Sequence, residues 1–127
     1  MPKTKTIRGF LIDPENNIAE ERTIEKSLDS YYATLRCSCI DIVSRPIFNR
    51  NFDIICDDEA LLTCDPYPSA LSVLHGVALC GPIFVVRFDG KDDITDLEPG
   101  DEKFLSGLVG YYEKGDKLCP ILTSLAY

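Results

Sequence analysis

Three arginines carry the chemistry that this sequence offers most plainly. Arg45 and Arg87 fall in stretches that read as β-strands, where a free surface cation is more often lysine, and Arg50 stands in the turn between two apolar runs. A guanidinium presents its donors in a planar fork that grips phosphate or carboxylate through two bonds at once. The same fork can serve an internal ion pair, for which Asp41, Asp53 and Asp57 are the acidic candidates. Tyr67 and Ser69, in the stiff segment Pro66-Tyr67-Pro68-Ser69-Ala70, add an aromatic face and a hydroxyl of the kind that walls a small planar ligand. The segment also reads as a plain connection between strands.

Asp57 and Asp58, with Glu59 beside them, follow an apolar run directly. Carboxylates at a strand end can hold a divalent cation, and more commonly they cap a following helix by accepting backbone N–H bonds. We place Asp57 and Asp58 in the candidate ligand-binding set and assign no metal site. Cys37 and Cys39 are too few for zinc, which takes about four ligands, and His75 is the sole histidine. Packing is the simpler role for both thiols. No nucleophile motif, P-loop or dinucleotide fingerprint is present, so acid–base or covalent catalysis has no centre here. We expect a protein that is not an enzyme and needs no cofactor.

The elements that must hold these residues follow from periodicity and turn chemistry. Thr4–Ile12 and Ile18–Ile24 read as a hairpin around Asp13-Pro14-Glu15-Asn16-Asn17. Ser27 can cap a helix reaching Arg36, with Leu28, Tyr31, Tyr32 and Leu35 along one stripe. Cys39–Ile47 and Phe52–Cys56 form a second hairpin, and Asp57–Leu62 a helical turn. Ile83–Phe88 is almost wholly apolar and β-branched, as in a strand buried on both faces. Pro99 starts a helix expected to run to Glu113, with Asp101 and Glu102 in its first turn and Phe104, Leu105, Leu108, Val109 and Tyr112 on its buried face. Leu118–Leu125 reads as an edge strand. The expected architecture over residues 1–127 is a single α+β domain, a mostly antiparallel β-sheet covered by two helices.

Composition limits the function classes. The chain has 127 residues, with 21 acidic against 13 basic side chains and a net charge of -8. Polymeric nucleic acid is bound by neutralising phosphates, so an acidic chain with no basic run is not expected to bind it. The apolar run Val77–Val86 contains Gly81 and Pro82 and is too short for a membrane span of about 20 residues. Met1–Phe10 is charged and lacks the apolar stretch of a secretory signal. A cytosolic protein with reduced cysteines is therefore expected.

The strings Cys-Ser-Cys-Ile-Asp-Ile-Val and Phe-Asp-Ile-Ile-Cys-Asp-Asp-Glu, followed by Pro66-Tyr67-Pro68-Ser69-Ala70 and Gly76-Val77-Ala78-Leu79, resemble a small uncharacterised family. Its members occur in bacteria, phages, plasmids and conjugative elements. The resemblance covers about Ile7 to Tyr112. This chain departs from the family pattern at Ala60, where a glycine is usual, and at Gly81-Pro82, where a Gly-Asn pair is usual. The resemblance implies a context rather than an activity, because small proteins of mobile elements often counter host defence, and one route is to sequester a nucleotide signal without cleaving it.

On these grounds the leading expectation is a non-catalytic, homo-oligomeric binder of a small anionic ligand of the signalling-nucleotide type. Arg45, Arg50 and Arg87 would meet phosphate, and Tyr67 and Ser69 would wall the base or ribose. The alternative is an acidic protein that inhibits a host defence protein by contact, as a nucleic-acid mimic. A metal-dependent hydrolase built on Asp57, Asp58 and Glu59 ranks below both.

Overall fold

Ile83, Phe84, Val85 and Val86 have no accessible surface on any of the four side chains, so material covers both faces of their strand. A computed structural model of the protein describes residues 5–48, 50–57, 67–72, 76–88 and 93–125, and the side chains of 45, 77, 78, 124 and 125 lie outside that description. The strands are β1 (Thr6–Asp13), β2 (Ile18–Glu25), β3 (Ile40–Ile47), β4 (Arg50–Asp57), β5 (Pro68–Ser72), β6 (Gly76–Cys80), β7 (Ile83–Phe88), β8 (Ile94–Thr95), β9 (Val109–Lys114) and β10 (Lys117–Leu125). The helices are α1 (Leu28–Leu35) and α2 (Asp101–Ser106). One sheet runs β2-β1-β7-β4-β3, antiparallel throughout, with β8 paired to β7; the other runs β6-β5-β10-β9, in which β5 and β10 are parallel.

Side chains alternate across a strand, so each strand of the large sheet feeds two layers. Ile83 and Val85 join Phe10, Ile12, Phe52, Ile54, Leu105 and Leu122 in the core between the large sheet, the second sheet and α2. Phe84 and Val86 join Ile7, Leu11, Ile55, Tyr31 and Leu35 beneath α1. The result is the expected single α+β domain, mostly antiparallel, with two helices.

Helix α1 forms where its capping chemistry places it. The Ser27 hydroxyl accepts the Ser30 N–H at 3.2 Å from an extended backbone, and Arg36 closes the helix in the left-handed region at φ 53°. Tyr31 and Leu35 are buried, whereas Leu28 faces water, so the stripe is narrower than its spacing suggests. Ser27→Ala should cost about 1 kcal/mol in a urea melt, because an N–H of the first turn loses its acceptor.

Three expectations fail for tertiary reasons. Helix α2 stops at Ser106 instead of Glu113, because residues 109–114 pair with β10 as β9. Gly107 and Gly110 weaken a helix there, and Thr123 draws the chain into the sheet by donating its N–H and its hydroxyl to the Leu108 carbonyl. The C-terminal strand is not an edge, since β5 lies along its other side. Pro68 and Ser69 therefore belong to a strand and not to a free loop. The helical turn expected at 57–62 falls mostly outside the described residues.

Gly107 has ordinary helical dihedrals, and a Cβ there would sit 3.5 Å from its nearest neighbours. Gly107→Ala should raise stability by about 0.5 kcal/mol, read from the urea midpoint.

The described cysteines are thiols. Cys56, Cys80 and Cys119 are buried, Cys37 is half-buried, and Cys39 is exposed, which limits the packing role expected of that pair to Cys37. Burial pushes the Cys37 thiol up, and the charge of Asp57 adds to it.

Candidate functional site

Strand register gathers the arginines that the sequence singles out. On β3, β4 and β7 the backbone positions of Arg45, Phe52 and Arg87 lie in one row, and Arg50 is two residues from Phe52 on the same face. That face looks toward α2 at the end of the large sheet. Nothing is described of the Arg45 side chain.

Asp101, the first residue of α2, is buried where the other two arginines meet. Arg87 donates to it from Nε at 2.6 Å and from Nη2 at 2.9 Å. Arg50 donates from Nη1 at 2.8 Å, and the Glu98 backbone N–H donates at 2.8 Å. Burial alone would raise the Asp101 carboxyl. The bonds from Arg87, Glu98 and Arg50, with the Arg87 charge, outweigh it and hold the group below the ordinary carboxylate range. The bond to Asp101, above all, keeps the Arg87 guanidinium firmly charged.

Aromatic rings complete the cluster. The Arg50 guanidinium lies 4.0 Å from the centroid of Phe104, and that of Arg87 lies 4.9 Å from Phe52. Phe52 and Phe104 are stacked at 6.2 Å, and Phe48 meets Phe104 edge-on at 6.1 Å. Phe48 is 72% exposed and sits at φ 56°, a conformation that a bulky residue rarely adopts. The Arg50 side chain is 34% exposed, and its hydrogen bond among the described residues uses Nη1 alone. Two guanidiniums share one buried carboxylate, so positive charge remains. Glu98, at 3.3 Å from Arg87 Nη1 and mostly in water, offsets it on the Arg87 side.

The expected site is thus only partly assembled. The acid that Arg50 and Arg87 share is not Asp41, Asp53 or Asp57. Asp41 accepts the Ile42 N–H at 2.9 Å, and Asp53 accepts the Ser44 hydroxyl at 2.7 Å. Asp57 stands at the far end of β4 from Arg50, seven residues or roughly 23 Å away. Asp58, Glu59 and His75 lie outside the described residues.

Tyr67 does not join the arginines either. Its carbonyl accepts the Gly81 N–H at 2.9 Å, just before β7 begins, whereas Arg87 is near that strand's other end, roughly 13 Å along. Tyr67 instead lines a small cleft of about 110 Å³ with Arg36, Asp13, Glu15 and Pro82, and the Lys114 and Lys117 ammonium groups lie 5.4 and 5.9 Å from its ring centroid. Arg36 is committed there to Asp13, at 2.7 and 3.1 Å. Ser69 is fully buried, and its hydroxyl has no hydrogen-bond partner among the described residues, so it forms no open wall.

Sequence reasoning missed Asp101, Phe48 and Phe104 as members of this site. Asp101 and Phe104 were explained by helix dipole and helix face, which hid their second role. A phenylalanine directly before the turn residues Asn49-Arg50-Asn51 was the available sequence signal for Phe48.

A family model described as Domain of unknown function (DUF3846) matches residues 7–109. No curated protein and no solved structure matches the chain.

Proposed function

The chain belongs to this family of unknown function, so its role must be argued from its own residues, and we propose that it is a non-catalytic binding protein for a small anionic ligand of the nucleotide type. The observation that supports this reading is Arg50, held through Nη1 by Asp101 and by the ring of Phe104, with its side chain still one-third exposed. A guanidinium already clamped on one edge loses little conformational freedom when it grips a phosphate with the other. Phe48, exposed beside it, offers a flat apolar face for a base. In this reading Tyr67 and Ser69 are no part of the site, and Arg87 acts by positioning Asp101. The binding unit is a homo-oligomer, and the cellular role is sequestration of a nucleotide signal by a phage or mobile element.

Isothermal titration with inorganic phosphate, linear mononucleotides and cyclic mono- and dinucleotides tests the reading. Loss of charge-assisted bonds worth about 1.5–3 kcal/mol should make Arg50→Ala roughly 10- to 100-fold weaker for the nucleotide that binds. Phe48→Ser should weaken nucleotides while leaving phosphate unchanged, and Tyr67→Ala should change neither. Equal affinity of Arg50→Ala and the parent for every ligand found would remove Arg50 from the site. Native mass spectrometry of the purified protein reads subunit count and retained ligand together.

A further inference from the structure

On the opposite, α1-facing side of the large sheet, a cleft of about 510 Å³ opens between the start of α1 and strands β3, β4 and β8. Its walls include Leu28, Tyr31, Ile42 and Ile94, and Asp53 is also among its lining residues. Asp53 is only 5% exposed, although a buried carboxylate is costly unless it is paired and well hydrogen-bonded. Among the described residues the Ser44 hydroxyl is its hydrogen-bond donor, at 2.7 Å, and no cation pairs with it. The lysine of the cleft, Lys26, gives its ammonium to Asp93 at 2.8 Å and to the Ile94 carbonyl at 3.0 Å. An ionised carboxylate has about four acceptor positions, so one hydroxyl leaves Asp53 able to take a charged donor.

What such a site lacks is a cation on an apolar stem. Lysine and arginine have this shape, with methylene groups that lie along apolar surface below a charged head. The rim argues for an occupant larger than a free amine, because Leu28 is 53% exposed and Ile42 43% exposed at the edge of the cleft. Neighbouring apolar residues of a polypeptide would cover them. A net charge of -8 also favours encounter with a basic partner. We propose that this cleft receives a lysine or arginine side chain of a partner protein, with its charged head on Asp53 and its stem against Leu28, Tyr31 and Ile42.

This surface lies across the sheet from Arg50, so its failure and that of the nucleotide reading are separately visible. The test is a two-dimensional amide NMR titration of the full chain with acetyl-Leu-Lys-Leu-amide and its arginine counterpart. Norleucine and glutamate versions of the peptide and n-butylammonium serve as comparisons. The expected result is shift changes centred on Leu28, Tyr31, Ile42 and Ile94, with binding at least ~10-fold tighter for the basic peptides than for the norleucine peptide. Asp53→Asn, with its fold checked by circular dichroism, should abolish that preference. Ile42→Lys, at an exposed position, should abolish binding of the basic peptides even if Asp53→Asn does not fold. No binding, equal binding of the norleucine peptide, or unchanged binding by Ile42→Lys would overturn the proposal. Butylammonium binding as tightly as the peptides would overturn the assignment to a polypeptide.

Discussion

Asp101→Asn is expected to lower the stability of the folded protein by about 3 kcal/mol, a large fraction of the roughly 5–15 kcal/mol that holds a domain of this size together. The buried carboxylate accepts two bonds from Arg87, one from Arg50 and one from the Glu98 N–H. An asparagine of the same shape keeps one acceptor but removes the charge, which leaves two guanidiniums facing an amide. The cost stands at the lower end for a broken buried pair because Arg50 is partly in water. With a urea slope of about 2 kcal/mol per molar, the unfolding midpoint should fall by roughly 1.5 M.

The same residue sets a direction for acid sensitivity. The Asp101 carboxyl lies below its ordinary value of 3.8 in the folded state, so the folded form releases this proton more readily than the unfolded form does. Its contribution is fully present above about pH 4 and is lost as pH falls through the folded value. Asp13 acts in the same sense: burial opposes its ionisation, and the bonds from Arg36 and Asn16 overcome that and lower it. The parent should therefore lose stability between pH 4 and pH 2, while Asp101→Asn should lose less over that interval. A parent and variant with parallel urea midpoints across the interval would show that Asp101 is not the ionised partner of the two arginines.

Gly9→Ala should cost about 3 kcal/mol, although it adds one methyl group. An ideal Cβ at Gly9 would lie 2.6 Å from two ring carbons of Phe84 and 2.7 Å from the Val85 carbonyl oxygen. The ring cannot turn aside, because Phe84 has no accessible surface and is packed among Ile7, Leu11 and Leu35. Relief requires β1 and β7 to separate, at the junction that holds the N-terminal hairpin to the rest of the large sheet. Overpacking of this kind costs about 1–3 kcal/mol where a flexible side chain can yield, and the upper figure applies where backbone must move. The comparison with Gly107→Ala, which has room for its methyl group, makes the result specific to close approach. A Gly9→Ala midpoint within error of the parent would mean that β1 and β7 do not pack as closely as described.

Much of the architecture could be read from one dimension because it rests on local physics. Apolar, β-branched runs and turn chemistry marked both N-terminal hairpins, the cap at Ser27 marked α1, and the unbroken apolar run at Ile83–Val86 marked the central strand. Of the second sheet, only its C-terminal strand was read in this way. Its other strands are short, proline-bearing or glycine-weakened; β5 is held by a strand far along the chain, as Ala70 is by Leu122, and residues 109–114 join β10 in a hairpin, as Tyr112 does with Cys119, where a helix was expected to continue.

The candidate sites divide along the same line. Residue type alone singled out Arg50 and Arg87, since a guanidinium on or beside a strand is chemically conspicuous. That the two meet at Asp101, with Phe48 and Phe104 beside them and Tyr67 at the other end of the sheet, depends on strand register and on where α2 lands. The isolation of Asp53 from any described cation depends on the same register, which sets it on the α1 face beside Ser44. From its sequence alone the protein's composition, its local elements and its inventory of charged groups were determined. Which charge neutralises which was decided only in three dimensions, because a Coulomb interaction depends on distance and burial, and neither is a property of position along the chain.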